Sequence, residues 1–345
     1  MTDRTPDMPA IAAAARQLEQ GELVAFPTET VYGLGADAEN PDAVAKIYAA
    51  KGRPSNHPVI VHLAPGADVE YWASTIPDEA RKLIAAFWPG PLTLILKRAP
   101  HIPAAVSGGQ DSIGLRCPSH PVAQALLRAF KAGKGGVAAP SANRFGHVSP
   151  TTAQHVRDEF GDGGDSPLAC ILDGGQSEVG IESTILDLSR IGSHGPVLLR
   201  PGQIGSDAIA SVLGVAPRLP DTAAPRASGT LEAHYAPATP VALVAPGDLQ
   251  QAIATLRQAG QSFALIRCGA GAVPDAAAQM QLPSTADGYA HDLYAALRAM
   301  DGARAAVILV EAPPATDDWQ GVNDRLRRAA HDSQGILSRL SGTHR

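Results

Sequence analysis

The residues best suited to chemistry are cations, hydroxyls and glycines gathered in short clusters. Lys51-Gly52-Arg53-Pro54-Ser55-Asn56-His57-Pro58 sets two cations around a glycine before proline fixes the chain. Arginine offers a planar fork for phosphate, and lysine a mobile point charge. A solvated helix end would also favour such cations, through its C-terminal dipole. Phe26-Pro27-Thr28-Glu29-Thr30-Val31-Tyr32-Gly33-Leu34-Gly35 ends an apolar run at a proline and then brings polar groups to glycines. Hydroxyls and backbone N–H groups at a strand end suit a small polar ligand, and a hairpin or bulge would use the same residue types. Pro140-Ser141-Ala142-Asn143 follows the apolar Val137-Ala138-Ala139. A hydroxyl and an amide there can donate to phosphate oxygens or a ribose, or can cap a helix or close a turn.

A fourth group is dispersed: His62, Arg116, Glu182-Ser183-Thr184 and Arg200-Pro201-Gly202. Arg116 closes the apolar stretch Ser112-Ile113-Gly114-Leu115, so it must either snorkel to water or meet an anion. Gly33-x-Gly35 lacks the third glycine of a dinucleotide loop, and Lys134-Gly135-Gly136 lacks the phosphate-loop spacing and reads as a turn. No metal-binding pattern and no activated Ser or Cys nucleophile is evident. This inventory suits phosphates and a carboxylate, with chemistry by positioning and electrostatics.

Positioning these groups needs regular elements. Strand signals fall at 23–26, 58–63, 92–96, 112–116, 137–139, 168–172, 183–188 and 197–199. Helical patterns fall at 9–20, 43–50, 78–87, 121–132 and 152–160. The mixture predicts an α/β unit without a fully parallel sheet. Between 213 and 240, Pro, Ala, Ser and Gly dominate and apolar periodicity is lost, the composition of a tether. Beyond it, strands at 241–244, 263–266 and 307–310 alternate with helices at 249–259, 286–300 and 323–333, which predicts a small doubly wound domain. The organisation read from this is a domain over 1–212, a linker over 213–240 and a second domain over 241–345. Arg325, Arg327 and Arg328 in the last helix read as a solvated face.

Composition narrows the function classes. The 345 residues are 45% hydrophobic and 18% charged, enough to bury a core. The net charge of -6 argues against a generic nucleic-acid or membrane-surface binder, although all six lysines lie before residue 135. Six Phe, six Tyr and three Trp are too few for a base-stacking platform. Three scattered cysteines exclude a cysteine zinc cage and make a disulfide framework a poor fit. The start MTDRTPDMPAIAAAARQLEQ has acids where a secretion signal needs a basic region, so the expectation is a soluble cytoplasmic protein.

Taken in order, Pro27-Thr-Glu-Thr-Val-Tyr-Gly-Leu-Gly35, Lys51-Gly-Arg-Pro54, Pro140-Ser-Ala-Asn143 and Glu182-Ser-Thr-Ile185 resemble the YrdC-like family. His234-Tyr235-Ala236-Pro237 and Gly321-Val-Asn-Asp-Arg-Leu-Arg-Arg-Ala-Ala330 resemble its long form, which carries an extra C-terminal domain. The resemblance implies an α/β fold: a YrdC-like twisted mixed sheet with a concave active site, plus a smaller Rossmann-like domain. It implies an L-threonylcarbamoyladenylate synthase, a nucleotidyltransferase that takes L-threonine, bicarbonate or CO2, and ATP, with Mg²⁺ as counter-cation, and releases pyrophosphate. The product would serve a threonylcarbamoyl transferase complex that modifies tRNA next to the anticodon, with weak tRNA contact by this chain. By resemblance, Thr30, His62, Arg116, Ala139 and Ser183 hold threonine. Lys51, Arg53, His57, Ser112, Ser141, Asn143, Ser149, Arg200 and Tyr235 hold ATP, Tyr235 closing over it from the linker, and Lys51 and Arg53 carry the catalytic charge. The competing reading is a non-catalytic RNA-binding, translation-associated module.

Overall fold

The computed structural model describes residues 5–269 and 273–342. It divides into two compact units, Met1–Phe145 with Ser149–Thr230, and Gly146–Val148 with Leu231–Arg345. The first unit is built on strands β1 (Leu23–Phe26), β2 (Gly33–Asp37), β3 (Ile60–Leu63), β4 (Ala73–Thr75), β5 (Leu92–Arg98), β6 (Ser112–Arg116), β7 (Gly136–Ala138), β8 (Leu168–Ile171), β9 (Thr184–Asp187) and β10 (Val197–Arg200). They form one sheet in the order β10-β9-β5-β6-β3-β7-β2-β1-β8, with β4 added on β5. The sheet is mixed: β3 runs parallel to β6 and antiparallel to β7, and β5 runs parallel to β9 and antiparallel to β6.

The sheet is buried on both faces, as the continuous apolar runs require. Along β1, Leu23 and Ala25 join one core cluster, and Val24 and Phe26 join the other, the period of two expected of a strand. On one face Val44, Ile47 and Leu83, from helices Pro41–Lys51 and Asp78–Phe87, pack with Leu94 and Leu115. On the other, Leu18, Leu126 and Phe130 cover Val24, Phe26 and Val137.

Two departures from the sequence expectations have local causes. β2 falls in the stretch read as a ligand loop or hairpin, and it does pair with β1 as an antiparallel neighbour. Its glycines answer a packing demand: a Cβ on Gly35 would lie 2.9 Å from both Phe26 Cε1 and Val137 Cγ1. The helix expected over 121–132 stops at Ala129, because Lys131 and Ala132 take positive φ of 48° and 53°.

The tether composition of 213–240 is reflected in a stretch with no helix or strand of more than a bridge between Leu213 and Val241. Part of it is nevertheless fastened to the first unit. The Leu198 N–H donates to the Arg218 carbonyl at 2.9 Å, and the Arg218 N–H to the Pro196 carbonyl at 2.8 Å. The Arg226 N–H donates to Gln110 Oε1 at 2.7 Å. Ala227 is buried in a cluster with Ile60, Ile95, Ile185, Val197 and Leu199.

The second unit carries β11 (Val241–Val244), β12 (Phe263–Arg267), β13 (Ala278–Gln281) and β14 (Val307–Glu311), all parallel, in the order β11-β14-β12-β13. Helices Leu249–Gln258, Ala286–Gly302 and Gln320–Ala329 complete the strand–helix alternation. β13 escaped the sequence reading because Ala-Gln-Met-Gln is half-exposed and carries no β-branched residue. The solvated arginine face is corrected. Arg325 is fully buried and Arg328 nearly so, both paired with Asp324, while Arg327 stays exposed. A carboxylate four residues before an arginine on a helix sits one turn below it, and here that pair faces inward. No helix among the described residues is long and apolar enough to cross a membrane.

Candidate active site

Strand alternation puts three of the expected residues, His62, Ser112 and Arg116, on one face of the large sheet. Ser112, Gly114 and Arg116 share a face of β6 because they are two residues apart. His62 stands beside Arg116 in the parallel β3–β6 register, and Val137 is the partner of His62 on β7. The same face holds the Leu18–Phe130 cluster at one side and the Ile60–Ala227 cluster at the other. On this face Gly33 and Gly35 make room for Phe26, Val137 and Ala139, and Gly114 for Ile60, Ile95 and Thr93.

The cations are buried. Lys51, Arg53 and Arg116 are 4%, 8% and 4% exposed, so the solvated helix end considered for Lys51 and Arg53 is not what forms. Asn40 caps the start of helix Pro41–Lys51, and Gly52, at φ 64°, ends it. That stop aims Lys51 inward. Its Nζ donates to the Ser141 and Asn143 carbonyls, each at 2.5 Å, which joins the Lys-Gly-Arg and Pro-Ser-Ala-Asn motifs. Burial first, and then the neighbouring Arg53, hold the Lys51 amine well below the usual lysine range. Arg53 Nη2 donates to the Pro58 carbonyl at 2.8 Å. The His57 ring meets Phe145 edge-on, centroids 5.6 Å apart. Burial and Arg53 both lower the His57 imidazole.

The contacts continue from one motif to the next. Ser141 bridges to Gly33, next to the Thr28–Val31 turn. Thr28 Oγ1 donates to the Val31 carbonyl at 2.6 Å and lies 2.9 Å from Thr30 Oγ1, which fixes Thr30. The Ala139 N–H donates to the Ile60 carbonyl, next to His62 along the sheet. Ser149 Oγ donates to Glu182 Oε1 at 2.5 Å, and Glu182 also supplies negative potential at Lys51. Ser183 is held from two sides, by Thr93 Oγ1 at 2.8 Å and by Arg200 Nη2 at 3.2 Å. Arg200 Nε donates to the Ser183 carbonyl and Nη1 to the Ser228 carbonyl.

His62 and Arg116 are buried ionisable neighbours on this face. Burial, and then Arg116, push the His62 imidazole down to about 3, so it is neutral and can both donate and accept. Arg116 meets a carboxylate that the sequence reading left without a role: Glu29 Oε1 lies 2.7 Å from Nη2, both side chains buried. The signal was present. An arginine closing an apolar strand demands an anion, and Glu29 stands inside the first motif. Glu182 and Thr93 were likewise unassigned.

Tyr235 belongs to the second unit. It is 1% exposed, its φ is 62°, and its ring packs against His234, Tyr294 and the Arg325 guanidinium. Among the described residues no group of three His, Cys, Asp or Glu side chains gathers to hold a metal ion. Mg²⁺ that arrives with ATP is held mainly by phosphate oxygens and water and needs no such group; the buried cations here are Lys51, Arg53, Arg116 and Arg200.

A mixed sheet with buried cations at its strand ends and adjoining turns defines an α/β protein. The comparisons with known proteins agree. A family model described as Telomere recombination, covering Sua5, YciO and YrdC, matches residues 16–202, and one described as the threonylcarbamoyl-AMP synthase C-terminal domain matches 204–331. The threonylcarbamoyl-AMP synthase of Pyrococcus abyssi is 39% identical over 333 residues, covering 93% of this chain and 94% of that protein. That of Bacillus subtilis is 40% identical over 338 residues, covering 93% of each. The crystal structure of P. abyssi Sua5 complexed with L-threonine superposes with a TM-score of 0.85 at 37% identity, over 94% of this chain and 95% of that one. The chain belongs to the Sua5–YciO–YrdC family, in the form that carries the synthase C-terminal domain, and it is an enzyme of that family.

Proposed function

We propose that this enzyme joins L-threonine, bicarbonate or CO2, and ATP into L-threonylcarbamoyl-AMP, releasing pyrophosphate, for the threonylcarbamoyladenosine modification of tRNA next to the anticodon by a partner transferase. The observation that carries the reading is a set of buried cations, Lys51 and Arg53 held at the Ser141, Asn143 and Pro58 carbonyls and Arg116 beside a neutral His62. The threonine complex of the P. abyssi relative supports it.

The reaction brings several anions together. The threonine amine adds to CO2, losing a proton, and becomes a carbamate. A carbamate oxygen then forms a bond to the α-phosphorus of ATP as the bond to pyrophosphate breaks. Carboxylate, carbamate and triphosphate repel one another, and in a site of low dielectric fixed cations are worth more than in water. In this reading Arg116 takes the threonine carboxylate, with Thr30, His62, Ser183 and the backbone at Ala139 completing that pocket. Lys51 and Arg53 take the phosphates and the charge developing on them. His57, Ser112, Ser141, Asn143, Ser149 and Arg200 take the rest of ATP, and Tyr235 is assigned to the nucleotide by resemblance.

The test is pyrophosphate release by the purified protein. Release that requires L-threonine, bicarbonate and ATP together is the expected result, and Lys51→Met should lower it about 100-fold or more, the effect of removing one preorganised donor. Release indifferent to threonine would overturn the proposal. Tight RNA binding without any pyrophosphate would instead support a non-catalytic RNA module.

A further inference from the structure

Arg116 is held by more than its strand. Its Nε donates to the Gly90 carbonyl at 3.3 Å, and its Nη2 lies 2.7 Å from Glu29 Oε1. Glu29 is itself fixed. Its Oε2 accepts the Ser119 N–H at 3.1 Å, and its backbone carbonyl accepts the Val179 N–H at 2.7 Å. Both side chains of the ion pair are 4% exposed or less. One carboxylate therefore ties the turn carrying Thr30 to the end of the strand carrying Arg116. Nε is the guanidinium nitrogen that hydrogen-bonds, while Nη2 makes no hydrogen bond and meets Glu29 Oε1 as an ion pair.

We infer that Glu29 is the positioning residue for substrate carboxylate: its charge, fixed by the Ser119 N–H, holds the Arg116 guanidinium in place for the ligand. The inference rests on the reading of Arg116 as the carboxylate ligand. Glu29 is 2% exposed, so it is shielded from water. The role needs a carboxylate in particular. Glu29 Oε2 accepts from the Ser119 N–H, and Oε1 sets its negative charge against the guanidinium. Glutamine has one carbonyl oxygen, so its NH2 group would oppose either the Ser119 N–H or Arg116, donor to donor. In either case the fork loses its fixed direction, although volume is conserved. Loss of the pair also leaves a buried arginine charge uncompensated.

The experiment is calorimetric binding of L-threonine and of L-threoninamide, which keeps the amine and side chain but lacks the carboxylate charge. Wild-type protein and Glu29→Gln are compared. Expected is a loss of about tenfold in threonine affinity, the size of one charge-assisted hydrogen bond, with threoninamide affinity changed less than twofold. An equal loss for both ligands would show general damage to the pocket and overturn the inference, as would no loss for either. Should Glu29→Gln fail to fold, Glu29→Asp keeps both acceptors on a shorter arm. It should show a smaller threonine-selective loss, and an unselective one or none overturns the inference. Wild-type protein that ignores L-threonine would remove the proposed function and this role together. Wild-type binding with an unselective variant removes the role of Glu29 alone.

Discussion

His62 is where residue type and surroundings pull hardest against each other. Its imidazole is driven down to about 3, chiefly by burial and then by Arg116. Below pH 6.5, the ordinary histidine value, the unfolded chain takes up a proton that the folded protein refuses until about 3. The unfolded state binds more protons across that window, so this group's contribution to stability is complete above 6.5 and is lost as pH falls. His62→Gln removes the titration. The melting temperature of the wild type should therefore fall more steeply than that of the variant as pH is lowered from 7 towards 4.5. Parallel curves would show that His62 is not held neutral. The sequence identified this histidine as a candidate, but a lone histidine on a strand carries no sign of its charge state. That depends on Phe26, which meets its ring edge-on at 6.1 Å, and on Arg116, fifty-four positions away in the chain.

At the scale of elements, β2 shows why glycine patterns mislead when read alone. Gly33-Leu-Gly-Ala-Asp has none of the β-branched or aromatic residues that mark a strand, and its glycines pointed to a ligand loop. In the sheet, Gly35 is small because the Phe26 ring and Val137 of neighbouring strands occupy the space of a Cβ. Gly35→Ala should cost about 1–3 kcal/mol through overpacking, read as a lower urea midpoint with an unchanged slope. A variant as stable as the wild type would mean the strands can spread to admit a methyl group. Helix Pro41–Lys51 was legible for the opposite reason. The pattern over 43–50 is local, and Asn40, Pro41 and Gly52 bound the helix by equally local chemistry.

At the scale of the whole molecule, the stretch after helix Ser206–Leu213 has a structural duty in the first unit. β10 ends the sheet order and would present a free edge. Arg218 pairs with that edge, and Ala227 fills the cluster behind it. A fragment ending at residue 230 should therefore melt higher than one ending at 212, by about 5 °C or more, and the shorter fragment should aggregate more readily. Equal melting temperatures would reduce the segment to a passive tether. Its composition concealed this, since Pro, Ala and Gly lack a periodic pattern whether they hang free or lie fastened by main-chain hydrogen bonds.

The sequence by itself determined most of the alternation of strands and helices and the motifs that contain Thr30, Lys51, Arg53, Ser141 and Asn143. All of these depend on neighbours in the chain, through periodicity, caps and turn residues. Only the tertiary structure decided that Glu29 pairs with Arg116, that Lys51 is buried against two carbonyls, that Arg325 and Arg328 face inward, and that Arg218 covers a sheet edge. Those outcomes rest on desolvation and on partners brought near by folding, and neither quantity is carried by a residue's immediate neighbours along the chain.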